Sequence, residues 1–180
     1  MIINKHFDIR GQIWVETVIY TLIGLALIGL TLAILTPQIR EFRDRSVIEQ
    51  TIESLNTFDS KVIEILDAPG NKRKITFRLD RGEIIVDSFD NEVRYILDGS
   101  NVRYSEPGVE LNIGRIRVLT EELTEKYKII LSLPYLHNIT YDGADRDNET
   151  FSPVSIPYEF FVENKGKINN KIWIDITEGS

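Results

Sequence analysis

The sequence predicts an α+β protein in which one long N-terminal helix precedes an antiparallel, sandwich-like β head. First, the nineteen residues from Thr17 to Leu35 carry no charge. Second, apolar residues then recur every three or four positions as far as Leu66, as on one face of a helix. Third, from residue 72 onward they recur at every second position, as in strands. The 180 residues allow one domain with an appendage but hardly two full domains.

Composition argues against several classes of protein. The net charge of -7 disfavours binding to nucleic acid, and no stripe of Lys or Arg offsets it. The absence of cysteine excludes disulfides and thiolate sites, and two distant histidines do not provide a histidine-rich metal site. The sequence contains no phosphate-binding glycine loop and no nucleophile elbow. We therefore expect no catalytic residue, no cofactor and no metal, and hence no enzyme.

The first helical segment, residues 12–36, is apolar on all sides apart from Glu16. As a helix, its uncharged part spans roughly 28 Å, which is close to the thickness of a bilayer core. Such a segment needs lipid or protein around it. Pro37 follows directly and is expected to kink the helix or end a turn.

The second helical segment, residues 37–68, is predicted to be an amphipathic extension. Its apolar face holds Ile48, Ile52, Leu55, Val62 and Leu66, and Ile39 and Phe42 are expected to join it. Charged residues that include Asp44 and Glu49 are assigned to the opposite, solvent-facing side. The turn-forming sequence of residues 67–71 ends the helix.

The head, residues 72–180, is predicted to contain about eight strands. Turns are expected at residues 80–82 and 98–101, a bulge or bend at Gly114, and a loop at residues 141–153. The strands are expected around 75–79, 84–86, 93–97, 102–104, 109–118, 127–133, 154–162 and 172–176, with Pro157 marking an edge or a bulge.

A short motif stands directly before the apolar segment. Arg10 and Gly11 are followed by Gln12, and Glu16 comes four residues later. This arrangement resembles the class III signal peptide of archaeal type IV pilins. The resemblance covers residues 10–35 and does not extend as a motif into the head. An ordinary secretory signal has its small-residue cleavage site after the apolar stretch, and none is found there.

The resemblance implies a structural protein that works by assembly. A prepilin peptidase would remove residues 1–11 by cutting between Gly11 and Gln12. The precursor would be a single-pass membrane protein in contact with lipid. The processed chain would join an extracellular filament through its N-terminal helix, with copies of itself or related pilins as partners. Glu16 would engage the new α-amine of Gln12, on the same chain or on a neighbour.

One alternative remains open at this stage. A single-span membrane protein with an external β domain that binds a partner would explain the span and the head without assembly. The charges bear on its orientation, because Arg40, Arg43 and Arg45 follow the span whereas only Lys5 and Arg10 precede it. This count does not favour an external head and conflicts with the processing motif.

Two further motifs lie in the second half of the head. Asn138 and Asn148 begin N-glycosylation sequons. Asp142, Asp145 and Asp147 with Glu149 could offer oxygen ligands to Ca²⁺, but their spacing does not match a complete calcium loop. We favour a solvated acidic loop.

Overall fold

The computed structural model describes the backbone of residues 9–179 and the side chains of residues 14–179. It confirms the α+β fold class, since one long helix is followed by ten strands in the described part of the chain. The chain divides into a first unit that ends at Arg40 and a second unit that begins at Glu41. Most of the predicted leader, residues 1–8, lies outside the described residues.

Helix α1 comprises Ile9–Ile65 and passes through Pro37 without ending. Proline lacks a backbone N–H, so one carbonyl of the preceding turn loses its helical donor there. Beside it, the Thr36 hydroxyl donates to the carbonyl oxygen of Leu32 at 2.6 Å. The carbonyl that loses its donor is that of Ala33, and the helix nevertheless continues to Ile65.

The part of α1 that belongs to the second unit buries one face. Ile48, Ile52, Leu55 and Val62 are buried as the periodicity predicts, and Phe58 and Ile65 are buried with them. The expectation for Ile39 and Phe42 was wrong, because their side chains are 63% and 77% exposed. Helical spacing identifies residues on a common side, but it does not show how far along the helix that side is covered.

The strands form two sheets. A four-stranded sheet has the order β1-β9-β10-β7, and a six-stranded sheet has the order β4-β5-β6-β3-β2-β8. All pairs are antiparallel except β7 with β10, which are parallel. The strands are β1 (Lys72–Phe77), β2 (Glu83–Asp87), β3 (Glu92–Ser100), β4 (Leu111–Ile113), β5 (Ile116–Glu122), β6 (Tyr127–Pro134), β7 (Asn138–Tyr141), β8 (Asn148–Phe151), β9 (Tyr158–Ile168) and β10 (Lys171–Glu178).

The core lies where the helix and the two sheets meet. A small apolar cavity is lined by Phe58 of the helix, by Phe77 and Phe160 of the four-stranded sheet, and by Ile84 and Val86 of the six-stranded sheet. All these residues are at least nine-tenths buried. The helical segment 48–65 is thus an integral part of the head and shares its hydrophobic core.

The turn predicted at 98–101 and the bulge or bend predicted at Gly114 have a different form. The chain does not turn at 98–101, because β3 continues to Ser100 through a shift in register, with Gly99 at φ +71°. This is a bulge, which glycine permits, and Val102 and Tyr104 lie outside any strand. Gly114 lies in the two-residue turn between β4 and β5, where Ile113 pairs with Ile116. Paired residues face the same side of the sheet. The apolar residues therefore stand at odd-numbered positions before this turn and at even-numbered positions after it.

The segment predicted to be a loop at 141–153 contains strand β8, which lies at the edge of the six-stranded sheet. Three of its four residues are exposed, so no apolar alternation marks it in the sequence. Val154 and Ile156, which were expected to begin the next strand, are exposed and precede β9. Proline at 153 and 157 lacks the N–H that a ladder requires there.

Candidate functional site

The surface of α1 from Trp14 to Leu35 is apolar and exposed. An 18-residue window of this helix has a mean hydropathy of 2.5, and none of it is buried within the chain. The hydroxyls of Thr21, Thr31 and Thr36 each donate to the carbonyl oxygen four residues earlier, at 2.6–2.8 Å. Because these hydroxyls are satisfied inside the helix, they do not oppose a position in hydrocarbon. The helix is long and apolar enough to cross a membrane.

Glu16 is the one charged residue on this surface between Trp14 and Gln38. Its carboxylate is exposed and lies 3.5 Å from the hydroxyl of Tyr20, one helical turn later. Within the described residues it forms no ion pair. A carboxylate at this depth of an apolar span is costly, on the order of a few kcal/mol, unless a partner neutralises it.

The predicted processing site lies at the beginning of the helix. The backbone of Arg10, Gly11 and Gln12 belongs to the first turn of α1, whereas their side chains lie outside the described residues. The first four N–H groups of a helix have no partner within it. The bond between Gly11 and Gln12 therefore lies in a turn whose backbone N–H groups have no partner within the helix.

The side chain of Asp44 fixes α1 to the loops of the head. It was predicted to face solvent, but it is 1% exposed. Its carboxylate accepts hydrogen bonds from the Arg81 guanidinium and from the backbone and side-chain amides of Asn101, the latter two at 2.7 and 2.6 Å. The phenol of Tyr95 in turn donates to the carbonyl oxygen of Arg81 at 2.9 Å. The prediction failed because the carboxylate is paired with loops far away in sequence.

These contacts determine how the two groups ionise. Burial opposes the charged form of Asp44, but the hydrogen bonds from Asn101 and Arg81 outweigh it and lower its pKa. Burial raises the pKa of Tyr95 to about 12, so its phenol stays protonated and continues to donate. The helix is thus held by a buried charge that is ionised at neutral pH.

A second charged network, in which Asp87 and Glu92 are buried and Asp90 is exposed, lies at one end of the six-stranded sheet. Asp87, Asp90 and Glu92 bring carboxylate oxygens within 4.8 Å of one another, a spacing that could suit a metal ion. Arg94 already lies among them, with its Nε 2.7 Å from Glu92 and its Nη2 3.1 Å from Asp87. Arg117 adds a second guanidinium, 2.7 Å from Glu92. The positive charge here is supplied by arginine, and the alternating strand pattern gave no sign of this cluster.

The sequons and the acidic loop lie next to one another. Asn138 is the first residue of β7, and its amide donates to Asp145 at 3.2 Å. Asn148 is the first residue of the edge strand β8 and is exposed. Asp175 of β10 fixes the loop by accepting from the Thr140 hydroxyl at 2.7 Å and from the Gly143 N–H at 2.8 Å.

Comparison with known proteins finds no matching family model, no matching curated protein and no matching solved structure.

Proposed function

We propose that this chain is the membrane-inserted precursor of a pilin-like subunit, which is cleaved between Gly11 and Gln12 and then assembles into a surface filament. The observation that supports this most strongly is the exposed apolar surface from Trp14 to Leu35, with Glu16 as its only charge. It stands directly after the sequence Arg10-Gly11-Gln12.

The physical argument concerns what covers this surface. In the precursor, lipid surrounds it, and in the filament the helices of neighbouring copies do so. Exchange of one apolar environment for another involves little change in hydrophobic energy, so packing and polar contacts decide the outcome. Glu16 provides a polar contact that can orient neighbouring helices, because cleavage creates an α-amine on Gln12 that can pair with its carboxylate.

Mass spectrometry of the N-terminal peptide in membrane and filament fractions tests the proposal. We expect a mature chain that begins at Gln12. Gly11→Val should block processing, because Gly11 is the residue that the peptidase would recognise directly before the bond it cuts. Gly24→Val serves as the matched control, since Gly24 also lies in α1 and has open space around it. Its processing should be normal.

The same measurement distinguishes the pilin-like subunit from the alternative, a single-span protein that binds a partner through its head. That protein would keep residues 1–11 and would form no filaments. A mature chain that retains the leader in both fractions would therefore refute the pilin-like function.

A further inference from the structure

An exposed acidic surface lies where β5 turns into β6. We name it the acidic patch and define it by Glu106, Glu110, Glu122, Leu123 and Glu125, all exposed. The turn is closed by the Leu123 N–H, which donates to the carbonyl oxygen of Lys126 at 2.8 Å.

The remaining part of the acidic patch is held next to that turn. The Gly108 N–H donates to the carbonyl oxygen of Thr120 at 2.8 Å, which brings Glu106 and Glu110 close to the end of β5. Among the described residues, none of the four glutamates of the patch forms an ion pair.

Few cations offset this patch. The ammonium of Lys126 donates to the side-chain oxygen of Asn101, and Lys128 lies opposite Glu121 across the β5–β6 ladder. Arg103 is exposed in the preceding loop. The acidic patch therefore combines unpaired carboxylates with an exposed leucine, a composition that suits a cationic, partly apolar partner.

An exposed cationic surface lies at the other end of the same strands. We name it the basic patch and define it by Arg115, Leu136, His137 and Lys171. Leu136 is 89% exposed, the largest exposure among the described large apolar residues. Strand β10 lies beside β7, with Trp173 paired with Asn138, so Lys171 is brought next to His137. The burial of His137 and the positive charges of Arg115 and Lys171 lower its pKa.

Two carboxylates lie near the basic patch. Asp59 pairs with Arg115 at 2.7 Å, and Asp145 accepts from Asn138, the residue after His137. Lys171 forms no ion pair within the described residues, and neither does Lys167, two positions before the turn that leads to it. Because Arg115 is paired with Asp59, the uncompensated positive charge next to the exposed Leu136 comes from Lys171 and the nearby Lys167.

The two patches are separated by the length of β6. Its eight residues, Tyr127–Pro134, extend over roughly 25 Å. The helix reaches both patches inside the head, because Asp44 contacts Asn101 near the acidic patch and Asp59 contacts Arg115 in the basic patch. The unpaired glutamates therefore lie at one end of β5 and β6, and the unpaired Lys171 of β10 lies at the other end.

We propose that the acidic patch of one copy docks on the basic patch of a second copy of this chain. Leu123 and Leu136 form the apolar centre of the contact, and the surrounding charges fix its orientation. We infer that the contact is heterologous and propagates from copy to copy, rather than closing into a dimer in which both patches pair reciprocally. The inference rests on the proposed filament, in which copies of the head are arrayed in series.

The absence of cysteine from the natural sequence makes a direct test possible. A full-length chain that carries both Leu123→Cys and Leu136→Cys is oxidised in two forms, solubilised in detergent and as filaments. We expect a ladder of disulfide-linked multimers. An intrachain bond is excluded, because a disulfide requires Cα atoms within about 7 Å. The chain with Leu123→Cys alone and the chain with Leu136→Cys alone should form no such ladder.

Charge exchange supplies the matched control. In the double-cysteine chain, Lys171→Glu should reduce the yield of disulfide-linked multimers by about tenfold, and so should Glu122→Lys. Each reduction corresponds to a contact that is weaker by about 1.4 kcal/mol. The two substitutions together should restore it, because the patches become complementary again with exchanged signs. Restoration separates a contact between charges from damage to folding.

The outcomes distinguish this inference from the proposed function. Filaments without a ladder would overturn the patch contact and leave the filament role intact. A ladder in detergent from a chain that keeps residues 1–11 and forms no filament would support the contact and refute the filament role. Dimers without longer multimers, whether from the double-cysteine chain only or from the single-cysteine chains as well, would indicate a closed contact and overturn the inference.

Discussion

At the scale of single residues, Asp44 is the side chain whose loss we expect to weaken the head most specifically. Its carboxylate is buried and accepts three hydrogen bonds from Arg81 and Asn101. Asp44→Asn keeps the shape but removes the charge and turns one acceptor into a donor. At neutral pH we expect the free energy of unfolding to fall by about 1–3 kcal/mol.

The pH dependence of this difference tests the cause. The folded-state pKa of Asp44 is lowered, so its charge stabilises the head above the unfolded pKa of about 4. This stabilisation is lost as the pH falls through the lower, folded-state value. The difference between wild type and Asp44→Asn should therefore be constant near neutrality and shrink in acid.

Urea unfolding, followed by Trp173 fluorescence in a Trp14→Phe background, measures this difference. Asp80→Asn is the control, because Asp80 forms an exposed pair with Arg78 and its loss should change stability by less than about 0.5 kcal/mol. A difference for Asp44→Asn that persists unchanged in acid would show that the ionised carboxylate is not responsible.

Gly82 supports the same junction through its backbone. Its φ is +75°, and a Cβ added there would lie 2.5 Å from the carbonyl oxygen of Ile96 and 2.6 Å from the ring of Tyr95. Gly82→Ala should therefore lower the free energy of unfolding by several kcal/mol, through backbone strain and a clash with backbone atoms.

Gly114 offers a matched comparison, since its φ is +62° and a Cβ there would meet nothing within 4 Å. Gly114→Ala carries the backbone strain alone and should cost only about 1 kcal/mol. Thermal unfolding of the two variants gives the comparison. Equal losses of stability would mean that the contact with Ile96 and Tyr95 is relieved without cost.

At the scale of elements, helix α1 combines two surfaces with different requirements. Its side chains from Trp14 to Leu35 are exposed, with no described residue packed over them, whereas one face of Ile48–Ile65 is covered by strands. Glu16 belongs to the uncovered segment, and its role is to be sought in contacts with other molecules.

We therefore predict that Glu16→Ala impairs filament assembly more than membrane insertion. Removal of the carboxylate makes the span more apolar, so insertion should become easier. What is lost is a charge that could meet the Gln12 amine in a medium of low dielectric constant, where such a pair is felt strongly. Processed chain should accumulate in the membrane while filaments decrease.

Quantification of processed chain in the two fractions checks this prediction, with processed and unprocessed pools separated first. Glu49→Ala is the control, since Glu49 lies on the same helix in an exposed pair with Arg45. If processed Glu16→Ala chain assembles as well as wild type, then Glu16 has no role as an assembly partner.

At the scale of the whole molecule, the sequence predicted the classes of element better than their connections. Periods of about 3.6 and 2 residues depend on which faces are buried, and both are visible in a single chain. Strand β8 was not predicted from the sequence, because it lies at the edge of its sheet and exposes most of its side chains. The parallel pairing of β7 with β10 left no local signal either.

The buried charges were hidden for a related reason. Asp44 is 37 residues from Arg81 and 57 from Asn101, and it stands in a run of charged helical residues that looks like a solvated face. Only the fold brings the partners together. The Arg10-Gly11-Gln12 motif and Glu16, by contrast, were recognised by resemblance, and their roles stay predictions.

The pairing of β1 with β9 sets the order in which this chain can become a folded protein. The partner of Lys72–Phe77 is Tyr158–Ile168, and the Asn164 amide donates to the carbonyl oxygen of Ile65 at 2.9 Å. Synthesis from the N-terminus produces the helix and β1 long before this cover exists. Until β9 and β10 emerge, the apolar face of Ile48–Ile65 lacks part of its cover and is open to aggregation. The emergence of β9 and β10 is therefore the step that completes the cover of this helical face.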